Sequence, residues 1–466
     1  MLEQLYFYFT NDFHSNFEQW PRTANYLKKE KEKWEARGRE VFLFDIGDHV
    51  DRVDEITEAS LGKSNIELMN DIGYTAATIG NNEGITLPHE ALFHLYDDAN
   101  FPVICGNLKA SNGDNPIWLS AEQSISTKHG TRIGVIGLTA AFYAFYKPLG
   151  WDVSDPYEFL DEQIASLNEQ YDIIILLSHL GISEDEEIAR RYPQIDIIMG
   201  GHTHHLLKNG TYENGVLLAA AGKGCFYTGA VHCEWNTEKK LMVSKVGYAE
   251  DVAGYQKDSK TNGAIAEMRE FAQAELSLPI AELRVPLLND WFQSGVLING
   301  LADTLKRWTD ADCAMLNAGL ILDNLPAGVV TKGDLHRICP HPINPCVVEV
   351  DGDELLEIMR ASETEELIQY KLKGFGFRGK VIGKMVFSSL EPVKEKHLNG
   401  SYFIRSAMIN GEEIVPEQNY KLATADTFTF GRLFPEISKA KEKNYYLPEF
   451  LRDLLPETLR QIEKYK

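Results

Sequence analysis

The chain has 466 residues, which exceeds what one ordinary hydrophobic core accommodates, so two or three domains are expected. Hydrophobic residues make up 44% of the sequence and charged residues 25%, a balance that excludes disordered and fibrous proteins and is typical of globular ones. The formal net charge of −23 argues against nonspecific binding to nucleic acid or to an anionic membrane. An anionic substrate would therefore need a local positive charge, for which bound metal is the simplest source.

The amino-terminal segment and the cysteines bear on the cellular compartment. Residues 1–6 lack the basic and apolar segments of a signal peptide, and no apolar run approaches the length of a membrane span. The cysteines form no Cys-x-x-Cys pair and lie in largely apolar company, so we expect reduced core residues at Cys105, Cys225, Cys233, Cys313, Cys339 and Cys346. The sequence thus predicts a cytoplasmic protein that contacts neither a membrane nor a nucleic acid polymer.

The first half of the chain alternates strand-like and helix-like segments, which is typical of a layered α/β domain. Strands are predicted at Leu5–Thr10, Val41–Phe44, Ala76–Ile79, Val103–Cys105, Arg132–Leu138, Ile173–Ser178 and Ile195–Met199. Helices are predicted at Trp20–Arg37, Ser64–Ile72, His89–Asp98, Pro156–Gln170 and Glu184–Arg191. Two further strands, Leu217–Ala221 and Ala230–Asn236, complete a domain that we assign to residues 1–250.

Residues 251–280 are predicted to connect two domains, because a polar stretch, Tyr255–Asn262, precedes a helical one, Gly263–Leu276. A smaller α/β domain is predicted over residues 281–466. Its expected elements are helices at Val296–Trp308 and Asp353–Glu363 and strands at Val347–Val350, Lys384–Ser388 and Tyr420–Thr424.

Side chains that can bind metal follow five of the predicted strands, in the order Asp-x-His, Gly-Asp-x-x-Asp, Gly-Asn, Ser-His and Gly-His-x-His. Open α/β sheets place their chemistry at the carboxyl ends of the strands. A single His at a strand end is ordinarily a hydrogen-bonded structural residue, but five such motifs together are hard to obtain by chance. Mixed imidazole and carboxylate ligands suit Zn, Mn, Fe or Co, and two divalent ions can hold the attacking and leaving oxygens of a phosphoryl displacement.

In this order the motifs resemble the calcineurin-like metallophosphoesterases, and the whole chain is similar to the bacterial 5′-nucleotidase/UDP-sugar hydrolase family. The resemblance implies an N-terminal layered β-sandwich flanked by helices, followed by a smaller α/β C-terminal domain that binds substrate. It implies two divalent metal ions, the first held by Asp12, His14, Asp48 and His204, and the second by Asp48, Asn81, His179 and His202. The implied reaction is hydrolysis of phosphate esters or phosphoanhydrides of nucleotide-like small molecules, with metal-activated hydroxide as the nucleophile.

The third motif departs from the family pattern Gly-Asn-His-Glu-x-Asp. Asn82 replaces the His that protonates the leaving group or steadies the transition state, and Ile85 replaces its Asp partner. Because Asn cannot give up a proton, we expect weak activity on alkyl monoesters and a preference for phosphoanhydrides or aryl esters. His49 and His205 are candidate replacement acids, with a structural role as the alternative for each, since sequence neighbours often point in opposite directions.

The predicted substrate domain also departs from the family, which carries an Arg-rich clamp and two aromatic rings that sandwich a nucleobase. Leu322 stands where the pattern has Arg. The candidate substrate-binding residues are Asn317, Gly319, His341, Phe377, Arg378 and Phe434. A base could stack between Phe377 and Phe434, although each ring could instead belong to the core. The missing acid and clamp leave a second interpretation, a metal-dependent binder or sensor of a phosphorylated ligand with little turnover.

Overall fold

A computed structural model describes residues 1–396 and 402–464. The chain forms two compact units, Met1–Ala272 and Gln273–Lys466, whose boundary falls within residues 251–280. Within the described part of the chain, no helix combines the length and the apolar character needed to cross a bilayer.

The first unit contains two large β-sheets. Its strands are β1 (Leu2–Thr10), β2 (Glu40–Asp45), β3 (Ala76–Ala77), β4 (Val103–Ile104), β5 (Leu108–Ala110), β6 (Leu119–Ser120), β7 (Glu122–Ser126), β8 (Arg132–Thr139), β9 (Trp151–Val153), β10 (Ile173–His179), β11 (Ile197–Gly200), β12 (Thr211–Glu213), β13 (Val216–Ala220), β14 (Tyr227–Asn236) and β15 (Leu241–Asp251). Seven strands form one sheet in the order β15-β14-β1-β2-β3-β4-β6, and six form the other in the order β12-β13-β11-β10-β8-β7. A two-stranded sheet pairs β5 with β9.

Helices lie between these strands along the chain. They are α1 (Trp20–Glu35), α2 (Glu55–Ser60), α3 (Lys63–Ile72), α4 (Asn81–Thr86), α5 (His89–Phe93), α6 (Tyr143–Tyr146), α7 (Pro156–Gln170), α8 (Ile182–Arg191) and α9 (Ser259–Leu276). The predicted helix over residues 89–98 thus ends early, at Phe93. Helix α9 starts earlier than predicted, because the Asp258 carboxylate accepts the Thr261 N–H at 2.8 Å and so caps the first turn.

Strand β10 shows why the two sheets form a sandwich. Its alternate residues Ile173, Ile175 and Leu177 belong to one buried cluster with residues of both large sheets. Ile174 and Leu176 point to the other face and pack with apolar residues of α7 and α8. Because successive side chains of a strand face opposite sides, one continuous apolar run serves both layers. The predicted sandwich flanked by helices is confirmed.

The strands that lead to the metal-binding motifs run parallel within each sheet. β1 pairs in parallel with β2, and β2 with β3. In the other sheet β10 pairs in parallel with β11. Their carboxyl ends therefore share an edge, and the loops that follow β1 and β2 are joined by the 3.1 Å hydrogen bond from the Asp12 N–H to the Gly47 carbonyl.

The second unit is a smaller α/β assembly. Its strands are β16 (Pro279–Leu283), β17 (Cys313–Asn317), β18 (Gly328–Thr331), β19 (Pro345–Asp351), β20 (Met385–Ser388), β21 (Leu390–Lys396), β22 (Tyr402–Ile409), β23 (Glu412–Glu413), β24 (Asn419–Ala425) and β25 (Lys443–Tyr445). Its helices are α10 (Val296–Thr309), α11 (Lys332–Ile338), α12 (Gly352–Ser362), α13 (Glu365–Ile368), α14 (Pro435–Lys439) and α15 (Leu455–Lys464). A five-stranded sheet, β20-β17-β24-β19-β25, lies at its core. The predicted smaller α/β domain is confirmed, and all six cysteines of the chain are free and buried, as predicted.

Candidate metal centre

One group of donor atoms forms around His14, just after β1. Its Nε2 atom lies 3.0 Å from Nε2 of His204. The same atom lies 3.8 Å from Oδ1 of Asp12 and 3.7 Å from Oδ2 of Asp48. Asp12, His14 and His204 thus offer donor atoms close enough for a single divalent cation, and the Asp48 carboxylate approaches the same His14 nitrogen. These four side chains are the predicted ligands of the first metal.

A second group lies on the other side of Asp48. Oδ1 of Asp48 is 3.3 Å from Nε2 of His179, which in turn lies 3.3 Å from Oδ1 of Asn81. Oδ1 of Asn81 is 2.7 Å from Nδ1 of His202. Asp48 therefore presents one carboxylate oxygen to each group, which is the arrangement expected of a ligand shared by two ions.

Several of these side chains project from strained backbone. The φ angles lie between 48° and 72° for five non-glycine residues, Asp12, His14, Asp48, His202 and His204. This left-handed region costs non-glycine residues about 1–3 kcal/mol each and is concentrated at functional sites, where surrounding contacts enforce it. The backbone thus adopts an unfavourable conformation at the residues that carry the donor atoms.

Neighbouring groups fix which imidazole nitrogen faces the cluster. Nδ1 of His179 lies 2.7 Å from the Ile46 carbonyl, and Nδ1 of His14 lies 3.2 Å from Oδ2 of Asp51. A ring N–H held by an oxygen in this way leaves the other nitrogen unprotonated for a metal. In both residues that free nitrogen is Nε2, the atom that faces the cluster.

Glu83, which the sequence did not single out, connects the second and third motifs through hydrogen bonds. Its side chain is fully buried, and its carboxylate accepts the N–H groups of Asp48, Val50 and Gly80 at 3.0, 2.8 and 2.9 Å. A Cβ on Gly80 would overlap the Asp48 side chain, so glycine is required for this close approach. The Glu in a Gly-Asn-x-Glu segment therefore holds the loop that carries Asp48.

The electrostatics of the site follow from carboxylates and imidazoles buried together. Burial alone would lower the pKa of His179, but the carboxylates of Asp48 and Asp12 outweigh it and raise that pKa to about 10. Burial alone would raise the pKa of Asp48, but the imidazoles of His179 and His14 outweigh it and hold that pKa below its usual range. A divalent cation would satisfy these carboxylates in place of the imidazolium protons, so the residues present fit a metal centre.

The structure contradicts the hypothesis that His49 supplies a proton. Its side chain is 1% exposed, with the ring 4.5 Å from that of Phe13 and 4.8 Å from that of Trp20. Burial lowers its pKa to about 3. The ring packs in the apolar core against Phe13 and Trp20, while the adjacent Asp48 side chain faces the donor cluster.

The other two catalytic candidates, Asn82 and His205, differ in burial. The Asn82 amide is buried, with Nδ2 3.0 Å from Nδ1 of His14, and its N–H donates to Oδ1 of Asp48 at 2.7 Å. His205 is exposed, and its Nδ1 lies 2.9 Å from the hydroxyl of Thr203. Catalytic roles for both residues stay predictions.

In the second unit, most candidate substrate residues are part of the core. The Asn317 amide donates to the Ile382 carbonyl at 2.7 Å, and His341 is 1% exposed, with Nε2 2.9 Å from the Leu320 carbonyl. A Cβ on Gly319 would overlap the carbonyls of residues 381 and 382. These contacts indicate structural roles for Asn317, Gly319 and His341.

The two rings considered for base stacking lie in the core, which is the alternative that the sequence left open. Phe377 is 4% exposed and stacks on His341, with ring centroids 5.3 Å apart. Phe434 is fully buried, with its ring perpendicular to that of Phe428. Neither ring offers a free face, because both fill the apolar core of the second unit. Arg378 is partly buried, and its N–H donates to Nδ1 of His341 at 2.9 Å.

A different aromatic pair lies at the surface of the second unit. The rings of Phe375 and Phe430 are nearly parallel, with centroids 5.8 Å apart and planes inclined by 7°. Phe375 is 50% exposed. The two rings line a cavity of about 510 Å³ together with Tyr370 and Arg432. These rings belong to the same chain segments as Phe377 and Phe434, two residues before Phe377 in one and four residues before Phe434 in the other.

Comparison with known proteins agrees with this arrangement. Residues 5–206 match the Calcineurin-like phosphoesterase family, and residues 279–432 match the family described as 5'-nucleotidase, C-terminal domain. The uncharacterized metallophosphoesterase YunD of Bacillus subtilis is 44% identical over 462 residues, which cover 99% of this chain and 100% of the relative. The chain belongs to the calcineurin-like metallophosphoesterases.

More distant relatives of this metallophosphoesterase share both units. A 5'-nucleotidase of Vibrio cholerae is 27% identical over 389 residues, which cover 71% of this chain and 69% of the relative. Solved structures of a putative 5'-nucleotidase from Staphylococcus aureus and of NAD nucleotidase from Haemophilus influenzae superpose with TM-scores of 0.69 and 0.68. Each is 16% identical, and they cover 98% and 100% of this chain and 97% of their own chains. These structures share the fold.

The family establishes the class of reaction. This metallophosphoesterase is a metal-dependent phosphoesterase, and a 5'-nucleotidase-like domain completes the chain. The predicted family, fold and enzyme class are confirmed.

Proposed function

We propose that this metallophosphoesterase hydrolyses phosphate esters or phosphoanhydrides of nucleotide-like small molecules at a centre that binds two divalent ions. The observation that carries the proposal is the division of seven donor side chains into two groups that share Asp48. Asp12, His14 and His204 would complete one site. The other would take Asn81, His179 and His202. The mixed donors favour Zn, Mn, Fe or Co.

The bound ions would neutralise phosphoryl charge and lower the pKa of the attacking water. Residues around the centre hold the candidate ligands in place. Asp51 and the Ile46 carbonyl hold the imidazoles of His14 and His179, while Glu83 holds the loop that carries Asp48. Such fixed geometry lowers the reorganisation that the reaction requires.

The leaving group is the feature on which this enzyme differs from the family pattern. The buried Asn82 amide can donate a hydrogen bond but holds no transferable proton. A leaving group with a low pKa departs without protonation, whereas an alkoxide does not. We therefore propose phosphoanhydrides and aryl esters as better substrates than alkyl monoesters.

The surface of the second unit carries groups that suit a nucleotide-like ligand. Phe375 and Phe430 supply parallel aromatic rings beside a cavity of about 510 Å³, which Arg432 also lines. An aromatic face stacks on any nucleobase, and a guanidinium suits carboxylate or phosphate oxygens. These contacts support a nucleotide-like substrate.

The test is a phosphate-release screen over nucleoside mono- and diphosphates, dinucleotides, sugar nucleotides and 4-nitrophenyl phosphate. Protein loaded with Mn²⁺ should release phosphate, and protein treated with EDTA should not. Equal rates on nucleoside monophosphates and on the activated aryl ester would contradict the proposed role of the leaving group.

The second candidate function is a metal-dependent binder of a phosphorylated ligand, which the replacement of the family's acid by Asn82 favours. Metal-dependent ligand binding without phosphate release in the same screen would support it.

We also propose a reducing, cytoplasmic compartment, supported by six free, buried thiols. Cell fractionation with an antibody to the native protein would test this assignment.

A further inference from the structure

The loop between β13 and β14 lies against the candidate metal centre. The Gly224 N–H donates to the Asp12 carbonyl at 2.7 Å, and the Gly222 N–H donates to the His205 carbonyl at 2.9 Å. Gly222 and Gly224 have φ angles of 78° and 67°, which suit glycine and let the loop turn tightly. Lys223 lies between these two glycines. Gly224 bonds to the candidate ligand Asp12, and Gly222 bonds to His205, the neighbour of the candidate ligand His204.

Lys223 lies on the open side of the centre. His179 is fully buried and the Asp48 side chain is 3% exposed, whereas His14 is 18% and His204 35% exposed. The exposure therefore rises toward His204, and Lys223 is itself exposed. The hydrogen bond from the Gly222 N–H to the His205 carbonyl places the adjoining Lys223 beside His204, the most exposed of these donors.

Arg52, a basic residue of the loop that carries Asp48, already binds other protein groups. The Arg52 guanidinium donates to both carboxylate oxygens of Glu58, at 2.9 and 3.0 Å, and to the Thr86 carbonyl. In a chain with a net charge of −23, an exposed cation at the open side of the metal site marks where a second anionic group can be held.

We propose that Lys223 forms a subsite for the phosphate adjoining the scissile one, and so selects phosphoanhydrides over phosphate monoesters. This inference rests on the proposed function. A lysine ammonium binds phosphate oxygens as a compact point charge from a flexible side chain, which suits a position on a loop at the rim of the site.

The subsite accounts for turnover without a general acid. In hydrolysis of a nucleoside diphosphate, the water oxygen forms a new bond to the terminal phosphorus, and the bridging P–O bond breaks with its electron pair on the leaving phosphate. The products are a nucleoside monophosphate and inorganic phosphate, and the surplus proton passes to solvent. The leaving oxygen needs charge stabilisation instead of the proton that Asn82 cannot supply, and the Lys223 ammonium provides it.

Two substrates test this assignment, ADP and 4-nitrophenyl phosphate, each assayed with Mn²⁺-loaded wild-type protein, Lys223→Ala and Lys223→Arg. The ratio of kcat/KM for ADP to kcat/KM for the aryl ester should fall about tenfold or more in Lys223→Ala, as expected for loss of one charge-assisted contact. Lys223→Arg should retain most of the ratio, because it keeps the charge. High salt should reduce the wild-type preference for ADP.

Lys239→Ala is the matched control, because Lys239 is exposed in the turn between β14 and β15. It should leave the ratio as in wild type. Bound metal is measured for every variant, so that loss of metal is not mistaken for loss of the subsite. An unchanged ratio in Lys223→Ala, or a ratio that falls equally in Lys223→Arg, would overturn the assignment while leaving the proposed function intact. Absence of metal-dependent phosphate release from wild-type protein would instead overturn both.

Discussion

The two units hold their candidate binding residues in different ways. In the first unit, Asp12, Asp48 and His179 stand at the carboxyl ends of buried parallel strands, and hydrogen bonds to backbone and carboxylate groups fix them. In the second unit, Phe375 and Phe430 stand at the surface, while the rings expected to bind the base fill the core. The framework of the fold thus positions the candidate metal ligands, whereas the surface rings of the second unit lie on loops, which vary more readily than strands.

The largest expected effect tests the first unit. Asp48→Asn removes a charge from both donor groups, so kcat/KM for 4-nitrophenyl phosphate should fall about 10³-fold. Asp114→Asn, an exposed loop carboxylate, serves as the control and should retain wild-type activity. Steady-state assays at saturating Mn²⁺ measure the effect. Activity within a few-fold of wild type would exclude Asp48 as a shared ligand.

Metal affinity should depend steeply on pH. The carboxylates around His179 raise its pKa to about 10, and the pKa of His14 is raised too, so the metal-free centre favours protonated imidazoles. A metal must displace these protons, so affinity should weaken as the pH falls and strengthen as it rises toward 10, by about tenfold per pH unit for each proton released. Calorimetric titration with Mn²⁺ in two buffers of different ionisation enthalpy counts the protons. Binding without proton release would contradict the described electrostatics.

An intermediate effect tests the second unit. Phe375→Ala combined with Phe430→Ala removes both stacking faces, so Kd for a nucleotide should rise about tenfold while kcat/KM for 4-nitrophenyl phosphate changes little. Phe292→Ala is the matched control, because Phe292 is 47% exposed in the same unit but does not line this cavity. If the nucleotide Kd stays at the wild-type value, the base does not stack on these rings.

The smallest expected effect concerns the missing acid. The double substitution Asn82→His and Ile85→Asp restores the family's pair, so the rate on alkyl monoesters should rise several-fold, below the about 10²-fold of a fully positioned general acid. The rate on 4-nitrophenyl phosphate should change less, since its leaving group needs no proton. The pH dependence of kcat for both esters measures this difference. An equal change for both would point to an altered metal site instead.

Local sequence predicted most of the fold and the side chains that the structure brings together in the two donor groups. Where a strand ends at Gly-Asp or Gly-His, as before Asp48 and His202, a few neighbouring residues are enough to predict the position of the candidate ligand. His49 could not be assigned in this way, because only the packing of Phe13 and Trp20 decides which of two adjacent side chains enters the core.

The same limit applies to the second unit and to Lys223. In a Gly-Phe-Gly-Phe segment either ring can face the core, and the stacking of Phe377 on His341 leaves Phe375 outside. Lys223 belongs to no recognisable motif. Its position follows from hydrogen bonds between segments about 200 residues apart in sequence, which residue patterns do not reveal.

The left-handed backbone at the ligands has a consequence for the lifetime of the protein. At about 1–3 kcal/mol for each of the five residues, the metal-free chain carries a burden comparable to the whole stability of many domains. Ions that bind only the folded chain offset that burden by mass action. We therefore expect the protein to be degraded faster in metal-starved cells, so that its abundance follows the supply of the ions on which its activity depends.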